Sequence, residues 1–547
     1  MAQGIFARNK NEGNIKMISE HDGRTRRLII IYLLLFILSI YLISYSFIWT
    51  EYFIHRFQDT ITLIDNHNLS ISNLKSTGVI GVDGKIYSLH GLGWPVLATP
   101  FYLIGKYTGM NSMVLVSLMA LLISGANVLL VFLFSSKIGY SKRSSLAAAI
   151  FYGLGSMAWP YAKCLSDHII ETHFIILSVY MMYLYMSRKK PYLLIISSLS
   201  IGYALNTRLT SSLIIPALLF MLVWKYIENR NVRGSLKEFI WDTTIFSFSL
   251  FPFVGFILWY NHYRFGSIFK TGYQLIAART GINFFAGTPF LTGLYGLLIS
   301  PGKGILYYSP VVVFFLISFK SFYKKYPILA MIFMYIICST LLFISKNIYW
   351  HGDWAWGPRY IFAITPFMII PAADLFDSNG WAKTVPRKFF IYTVFVIGLV
   401  VQISAISVHP YGHFYRLQTE EHINFQTVSG EGIAFISEPP DYIYFDWNRS
   451  PILGQFRYII QIAKNIDSYE YKEMPETEEF AENIKHYPLM NVFDFWWAYN
   501  YYIYNNNKGI IGSILLLLIV IISGFRLIKL SQTKTFTDTL GVSCLNL

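Results

Sequence analysis

The sequence predicts an all-α polytopic membrane protein, and three observations carry the prediction. Only 14% of its 547 residues are charged and 54% are hydrophobic, whereas a soluble domain carries about 25% charged residues. Its mean hydropathy is +0.45. Its apolar residues gather into runs of about 20, the length that crosses the hydrocarbon core of a bilayer. In a soluble chain a net charge of +14 would suit a nucleic-acid partner. In a membrane chain, Lys and Arg held on the cytoplasmic side account for it. Cys164, Cys338 and Cys544 show neither metal-ligand spacing nor a disulfide framework. The aromatic content of 18% fits Tyr and Trp belts at the two interfaces.

Residues 1–27 are polar and basic. The apolar run from Leu28 to Trp49 is too long for a signal-peptide core, and no small-residue cleavage site follows it. It therefore reads as a retained first span. Further runs near 112–135, 145–162, 168–186, 192–207, 210–226, 243–262, 305–320, 327–345, 359–376, 388–408 and 508–529 bring the expected bundle to about twelve helices. Segments 93–106 and 286–300 are shorter and broken by Gly or Pro. They read as re-entrant or interfacial pieces, which a bilayer tolerates where protein or water covers them.

Loop charge sets the sidedness. With residue 1 cytoplasmic, every second loop is basic: Lys137, Lys142 and Arg143; Arg188, Lys189 and Lys190; Lys225, Arg230, Arg233 and Lys237; Lys320, Lys324 and Lys325; Lys383, Arg387 and Lys388; Arg526 and Lys529. This is the positive-inside pattern. Loops 51–111 and 263–304 and the segment 409–507 then lie outside, and 409–507 holds fourteen Asp/Glu against six Lys/Arg. The expected division is a basic N-terminus (1–27), a transmembrane domain (28–408), an extracytoplasmic region (409–507), and a last helix with its cytoplasmic tail (508–547). A structureless stretch as long as 409–507 is uncommon. Tyr442, Tyr444, Phe445, Trp447, Trp496 and Trp497 supply apolar mass for a small packed domain. No internal repeat is visible.

The polar residues able to do chemistry crowd the outside loops. Glu51 and Asp59 follow the first span eight residues apart, about two helical turns, so they share a face if this piece is helical. A carboxylate desolvated at an interface gains basicity and suits a general base; a solvated juxtamembrane helix would carry the same charges. Asp83-Gly84 reads as a turn, and Gly91, Gly93 and Pro95 let the backbone approach something closely. Lys85 and His90 flank that stretch and suit an anionic group. Lys163, Asp167, His168, Glu171 and His173 cluster at the top of the fourth span. Ionisable groups there are costly and mark function, and their spacings match no common zinc pattern. Arg208 closes the fifth span, where it either snorkels to headgroups or forms a fork for a phosphate.

In the second loop Lys270, Tyr273, Arg279 and Lys303 stand among glycines and aromatics. That mixture suits a phosphate with an organic tail, and equally a loop resting on anionic headgroups. Gly302-Lys303-Gly304 is not a nucleotide P-loop, because the first Gly and the following Ser/Thr are missing. Trp350 to Tyr360 combine three tryptophans with Asp353 and Arg359. The tryptophans suit sugar stacking or an interfacial belt, and Asp353 and Arg359 suit each other as an ion pair.

Taken in order, Arg56-Phe57, Asp83-Gly84 through Tyr87-Ser88, His90-Gly91 and Gly93 with Pro100 and Tyr102, Phe265-Gly266-Ser267 through Thr271-Gly272-Tyr273, Ser300-Pro301-Gly302-Lys303-Gly304 with Tyr308-Ser309-Pro310, and Trp356-Gly357-Pro358-Arg359-Tyr360 with Pro366 make a series. It resembles the polyprenyl-phosphate-sugar-dependent glycosyltransferases of the GT-C class, which include protein O-mannosyltransferases and lipid A aminoarabinose transferases. The resemblance covers roughly residues 28–375. It implies a helical bundle with juxtamembrane helices in the first outside loop, in a prokaryotic inner or plasma membrane with both termini cytoplasmic. It implies inverting transfer of a sugar from a polyprenyl-phosphate donor to a lipid, glycan or protein acceptor on the extracytoplasmic face. No nucleotide, cofactor or metal is expected.

A carboxylate after the first span would take the acceptor's proton, and basic residues would hold the departing phosphate. The chain departs from the family at two places. Phe53 stands where relatives carry an acid, which leaves the base open between Glu51 and Asp59 with Asp167 or Glu171 as a second acidic partner. His90 stands where many relatives carry a phosphate-facing Lys. The expected donor contacts are Lys85, His90, Arg208, Lys270, Tyr273, Lys303, Asp353 and Arg359. A transporter or flippase of lipid-linked sugars, or a polysaccharide ligase or polymerase, is the competing reading. Absence of a repeat and the crowding of charge at the outer interface argue against a transporter.

Overall fold

The structure is a computed structural model that describes residues 2–46, 51–71, 78–232, 234–281, 283–285, 288–377, 380–409, 412–419, 421–423, 426–430, 433–438, 440–465, 492–502 and 504–532. Among the described residues, nine helices are long and apolar enough to cross a membrane: Gly23–Ile43, Ser112–Ile138, Asp167–Arg188, Leu209–Asn229, Ser235–Phe265, Pro327–Ile344, Arg359–Phe376, Val385–Ser407 and Lys508–Ser531. Helices are the form this composition demands. Hydrocarbon offers no partner to a backbone N–H, so each span must bond to itself. The protein is thus an integral membrane protein of helical class.

The three other expected spans take different shapes. The run 145–162 breaks into Lys142–Gly155 and Ala158–Lys163. At the break, the Ser156 hydroxyl donates to Tyr152 O at 2.6 Å and accepts from Ala158 N at 3.2 Å. The run 192–207 is one helix of 17 residues, Pro191–Thr207. The run 305–320 starts as Ile305–Tyr308, breaks at Ser309 and resumes as Val313–Lys325. Pro310 explains that break, since it offers no N–H and drives the residue before it out of helical geometry. Two of the nine spans open on tight 3-10 turns, Leu209–Ile214 and Arg359–Ile364. Segment 93–106 is the helix Gly93–Thr108, and 286–300 contains the short apolar helix Phe290–Ile299.

One face of the bundle carries the long loops. The first loop begins with the helix Glu51–Ile64. Asp65, just past its end, pairs with Lys106 at 2.6 Å and accepts from the Tyr102 hydroxyl, pinning it to Gly93–Thr108. Between these helices Gly78–Ile80 pairs antiparallel with Ile86–Ser88. Gly84 takes the positive φ of 77° that their turn requires. This hairpin docks on the second loop. Val82 N donates to Arg264 O at 3.0 Å and Arg279 Nη2 to Ile80 O at 3.1 Å. Val79, Phe265 and Ile276 make a small core between them.

The region 409–507 is stitched to the bundle. Gly302 N donates to Tyr444 O at 2.9 Å, Asp494 N to Ser407 O at 2.8 Å and Trp496 N to Tyr45 O at 2.8 Å. Phe414, Leu417, Ile443 and Tyr444 belong to the main hydrophobic core. The opposite face is held by ion pairs among the basic loops: Lys225 with Asp242 at 2.7 Å, and Lys325 with Asp374 and Asp377.

Candidate functional site

The two glycines that promise a close approach make one. A methyl group on Gly91 would lie 2.0 Å from Asn206 O, and one on Gly93 would lie 2.3 Å from Thr207 Oγ1. The first loop therefore lies directly on the end of the helix Pro191–Thr207, and Tyr203 donates to Gly93 O at 2.7 Å to hold it there. Arg264 fixes the same loop from the other side, donating to Ser88 O at 2.6 Å while its guanidinium stacks 3.7 Å from the Tyr260 ring. Arg208 caps the helix in an extended conformation. This packing puts Arg208 and His90 in one neighbourhood.

Asp167 is the centre of the site. It opens the span Asp167–Arg188 and is 8% exposed. One of its oxygens accepts from Arg56 Nη2 at 2.9 Å and from Arg208 Nη1 at 3.2 Å. One turn on, Glu171 accepts from Thr210 Oγ1 at 2.9 Å and Ser211 Oγ at 3.0 Å. Its other oxygen lies 3.1 Å from Arg208 Nε and 3.5 Å from His168 Nδ1. The Arg208 guanidinium lies 5.3 Å from the centre of the Tyr360 ring, and that of Arg359 lies 5.0 Å from it. Arg359 pairs with Asp353 at 2.9 Å. Gly352, at φ +68°, leaves room for the Arg359 side chain, which a methyl there would meet at 2.7 Å. Three guanidiniums thus face three carboxylates, and Arg56 Nη1 is buried with no hydrogen-bond partner among the described residues. A buried donor without an acceptor is rare, and this one belongs to the group best suited to bind an oxyanion.

His90 and Tyr273 look onto the same charges. The Tyr273 hydroxyl lies 3.4 Å from His90 Nδ1. Tyr273 is 40% exposed, so the pair lies at the surface of the cluster. The surrounding protein, and then Arg56, push the His90 imidazole well below its usual pKa, with Arg208 and Arg359 adding to the effect. The Tyr273 phenol is raised by desolvation and drawn part of the way back by Arg208. Below Tyr360 and Glu171 the site narrows into a slit with room for about 10 Å³, lined by Ile175, Ile214, Ile336 and Ile364. That is about one water molecule.

Of the residues singled out from sequence, Asp167, Glu171, Arg208, His90, Tyr273, Asp353 and Arg359 come together. The others do not join them. Glu51 opens the helix Glu51–Ile64, and its side chain lies outside the described residues. Asp59 is buried one turn beyond Arg56, where its charge acts on Tyr260 and Arg264. Lys85 is exposed at the hairpin turn, 3.5 Å from Asp83, and Lys270 is exposed. Lys303 is fully buried and donates to Asp353 O and Ala355 O, each at 2.6 Å. Burial pushes its pKa well down. It therefore braces the backbone of the tryptophan-rich loop. His173 bonds to Asn127 at 2.9 Å, and Lys163 pairs with Asp494 at 2.9 Å. Sequence reasoning passed over Arg56, Thr210 and Ser211 as site residues. Arg56 as the one Arg or Lys of the amphipathic helix Glu51–Ile64 was the available signal. Among the described residues, no three His, Cys, Asp or Glu side chains are placed to hold one metal ion.

Fold and site together define a helical membrane protein with a guanidinium–carboxylate cluster beneath its long loops. The chain is similar in structure to two solved proteins. One is the archaeal oligosaccharyltransferase AglB from Archaeoglobus fulgidus in complex with an inhibitory peptide and a dolichol-phosphate. There the match covers 73% of this chain and 58% of that one, at 11% identity and a TM-score of 0.44. The other is ArnT from Cupriavidus metallidurans bound to undecaprenyl phosphate, where it covers 94% of this chain and 77% of that one, at 12% identity and a TM-score of 0.44. The chain thus spans less than two thirds of the oligosaccharyltransferase. No protein-family model and no curated protein matches the sequence.

Proposed function

We propose that the protein is a GT-C-type glycosyltransferase that moves a sugar from a polyprenyl-phosphate donor to an acceptor on the long-loop side of the membrane, with inversion. The observation that carries this reading is Arg56 Nη1, buried without a hydrogen-bond partner among the described residues, in a cluster with Arg208 and close enough for its charge to act on His90 and Tyr273. A phosphate tethered in the bilayer by its lipid reaches the end of a span, and Asp167, which holds Arg56 and Arg208, opens the span Asp167–Arg188. The ordered sequence motifs that resemble the family support the same reading.

In the proposed reaction an acceptor hydroxyl attacks the anomeric carbon and passes its proton to a carboxylate. The bond from that carbon to the phosphate oxygen breaks, and the electron pair leaves with the phosphate. Arg56 and Arg208 receive the growing charge, and Tyr273 donates to it. His90, neutral at pH 7, offers a further hydrogen bond. Removing one such donor costs about 10²–10³ in rate. Asp167 and Glu171 are already engaged by guanidinium and hydroxyl donors, so we assign them to orienting Arg56 and Arg208. We leave the proton with an acid of the first loop that stands outside this cluster, Glu51 or Asp59. Proteoliposomes loaded with a polyprenyl-phosphate sugar test the reading. A new glycosidic bond of inverted configuration is the expected product. Movement of the donor across the bilayer with no new bond would instead make the protein a flippase.

A further inference from the structure

We propose that the protein seats a second lipid, a phospholipid of the leaflet on the long-loop side, with one acyl chain in a recess beside the helix Val385–Ser407 and its phosphate against Arg457. The recess holds about 200 Å³, and Tyr307, Ile397, Val401, Trp447, Ile452 and Leu453 line it. Ser450, also in the lining, is satisfied by its bond to Pro301 O at 2.7 Å. The space exceeds the ~150 Å³ apolar cavity that takes up a benzene, so it has room for a stretch of one chain.

Its position in the fold names the occupant. Ile397 lies ten residues before Ser407, the end of its span. At 1.5 Å per residue that is roughly 15 Å, half of the ~30 Å hydrocarbon core. The recess therefore runs through the depth of one leaflet. The same helix exposes Ile397, Val400 and Ile403 by 50%, 45% and 47%, which places the opening on the bilayer.

The mouth of the recess supplies the headgroup chemistry. The helix Pro451–Asn465 begins there. Its Leu453, Arg457, Ile460 and Lys464 recur at spacings that share one face. Leu453 and Ile460 are 38% and 54% exposed. Apolar side chains flanked by cations mark a helix that lies in a membrane interface. Arg449 nearby is neutralised by Glu421 at 2.8 Å and Asp446 at 3.0 Å. Arg457 donates to Asn448 O at 3.0 Å and makes no ion pair among the described residues. We assign the phosphate to it. The recess is separate from the arginine cluster: Tyr307 lines it, while its neighbour Tyr308 turns away to pack on Trp356 with ring centres 4.8 Å apart.

The test needs neither sugar donor nor acceptor, so its outcome is independent of the glycosyltransferase reading. The full-length protein is placed in phosphatidylglycerol vesicles doped with phosphatidylglycerol carrying a photoreactive acyl chain, and the adducts are mapped by mass spectrometry. Peptides containing Ile397–Val401 and Trp447–Leu453 should be labelled about tenfold more than the exposed helix Lys508–Ser531, the ratio that about 1.4 kcal/mol of preference gives. Val401→Phe, and at the mouth Leu453→Trp, should remove the excess and leave labelling of Lys508–Ser531 unchanged. Arg457→Glu, or a diacylglycerol probe without phosphate, should lower it. Uniform labelling of all exposed helices, or labelling that survives both space-filling variants, would overturn the seat. Equal labelling by the phospholipid and the diacylglycerol would overturn the phosphate contact.

Discussion

Replacing Asp167 by Asn tests how the arginine cluster is held. The carboxylate accepts from Arg56 at 2.9 Å and from Arg208 at 3.2 Å, and the Asn amide cannot balance either charge. Arg56 is 6% exposed, so the charge it strands is a buried one. Removing one partner of a buried pair costs about 3–5 kcal/mol, and Asp167→Asn should fall in that range. Arg56→Met keeps most of the apolar stem and leaves Asp167 bonded to Arg208. It should cost about 1–3 kcal/mol, the penalty for one buried polar group left short of a partner. In the double variant no Arg56 charge is left to be stranded, so the two effects should fall short of their sum by about 0.5–3 kcal/mol. Equilibrium unfolding in mixed micelles measures all four corners of the cycle. Additivity within about 0.3–0.5 kcal/mol, or an Asp167→Asn protein as stable as the parent, would refute the idea that this carboxylate ties the two arginines together.

Four further outcomes follow from the geometry. Gly91→Ala, whose methyl meets Asn206 O at 2.0 Å, should lower the unfolding midpoint and disturb the site. Gly84→Ala, at φ +77° with nothing near it, should cost only about 1–2 kcal/mol. Lys303→Met strands the Asp353 and Ala355 carbonyls and should destabilise by about 1–3 kcal/mol, read from the same unfolding curves. His351 accepts from Asp353 N at 3.1 Å through Nδ1, and burial holds its pKa at about 3, against 6.5 for the free side chain. The unfolded chain therefore binds this proton below about pH 6.5 and the folded one does not. His351 alone should contribute a fall in stability of about 1.4 kcal/mol per pH unit as pH drops from about 6.5 toward 3. His351→Phe, which preserves the stacking on Tyr444, should remove one proton's share of that slope. An unchanged slope would place the titration elsewhere.

What the sequence could show follows from the range of each interaction. Membrane spans are local patterns, so most were legible from runs of apolar residues. Where the runs misled, at Ser156 and Ser309, a hydroxyl or a following proline interrupts a helix without interrupting its hydrophobicity. Asp167 and Glu171 stood out because ionisable groups at the top of a span are conspicuous by themselves. Arg56 did not, since its partner is 111 residues away. The promise of close approach at Gly91 and Gly93 was readable, but its target, the backbone of Asn206 and Thr207, was not. From sequence, Lys303 between its two glycines reads as a contact for the donor phosphate. Only the fold shows two carbonyls from fifty residues further on converging on its amine.

Saturation binding of sugar-free polyprenyl phosphate to the purified protein addresses the arginine cluster most directly. We expect Arg56→Met and Arg208→Met each to weaken binding by about tenfold or more, the loss of roughly 1.4 kcal/mol or more for one charge-assisted contact. The exposed-cation variants Lys85→Ala and Lys270→Ala should bind like the parent. Equal affinity across all four variants, with the arginine variants folded, would contradict a lipid phosphate at this site.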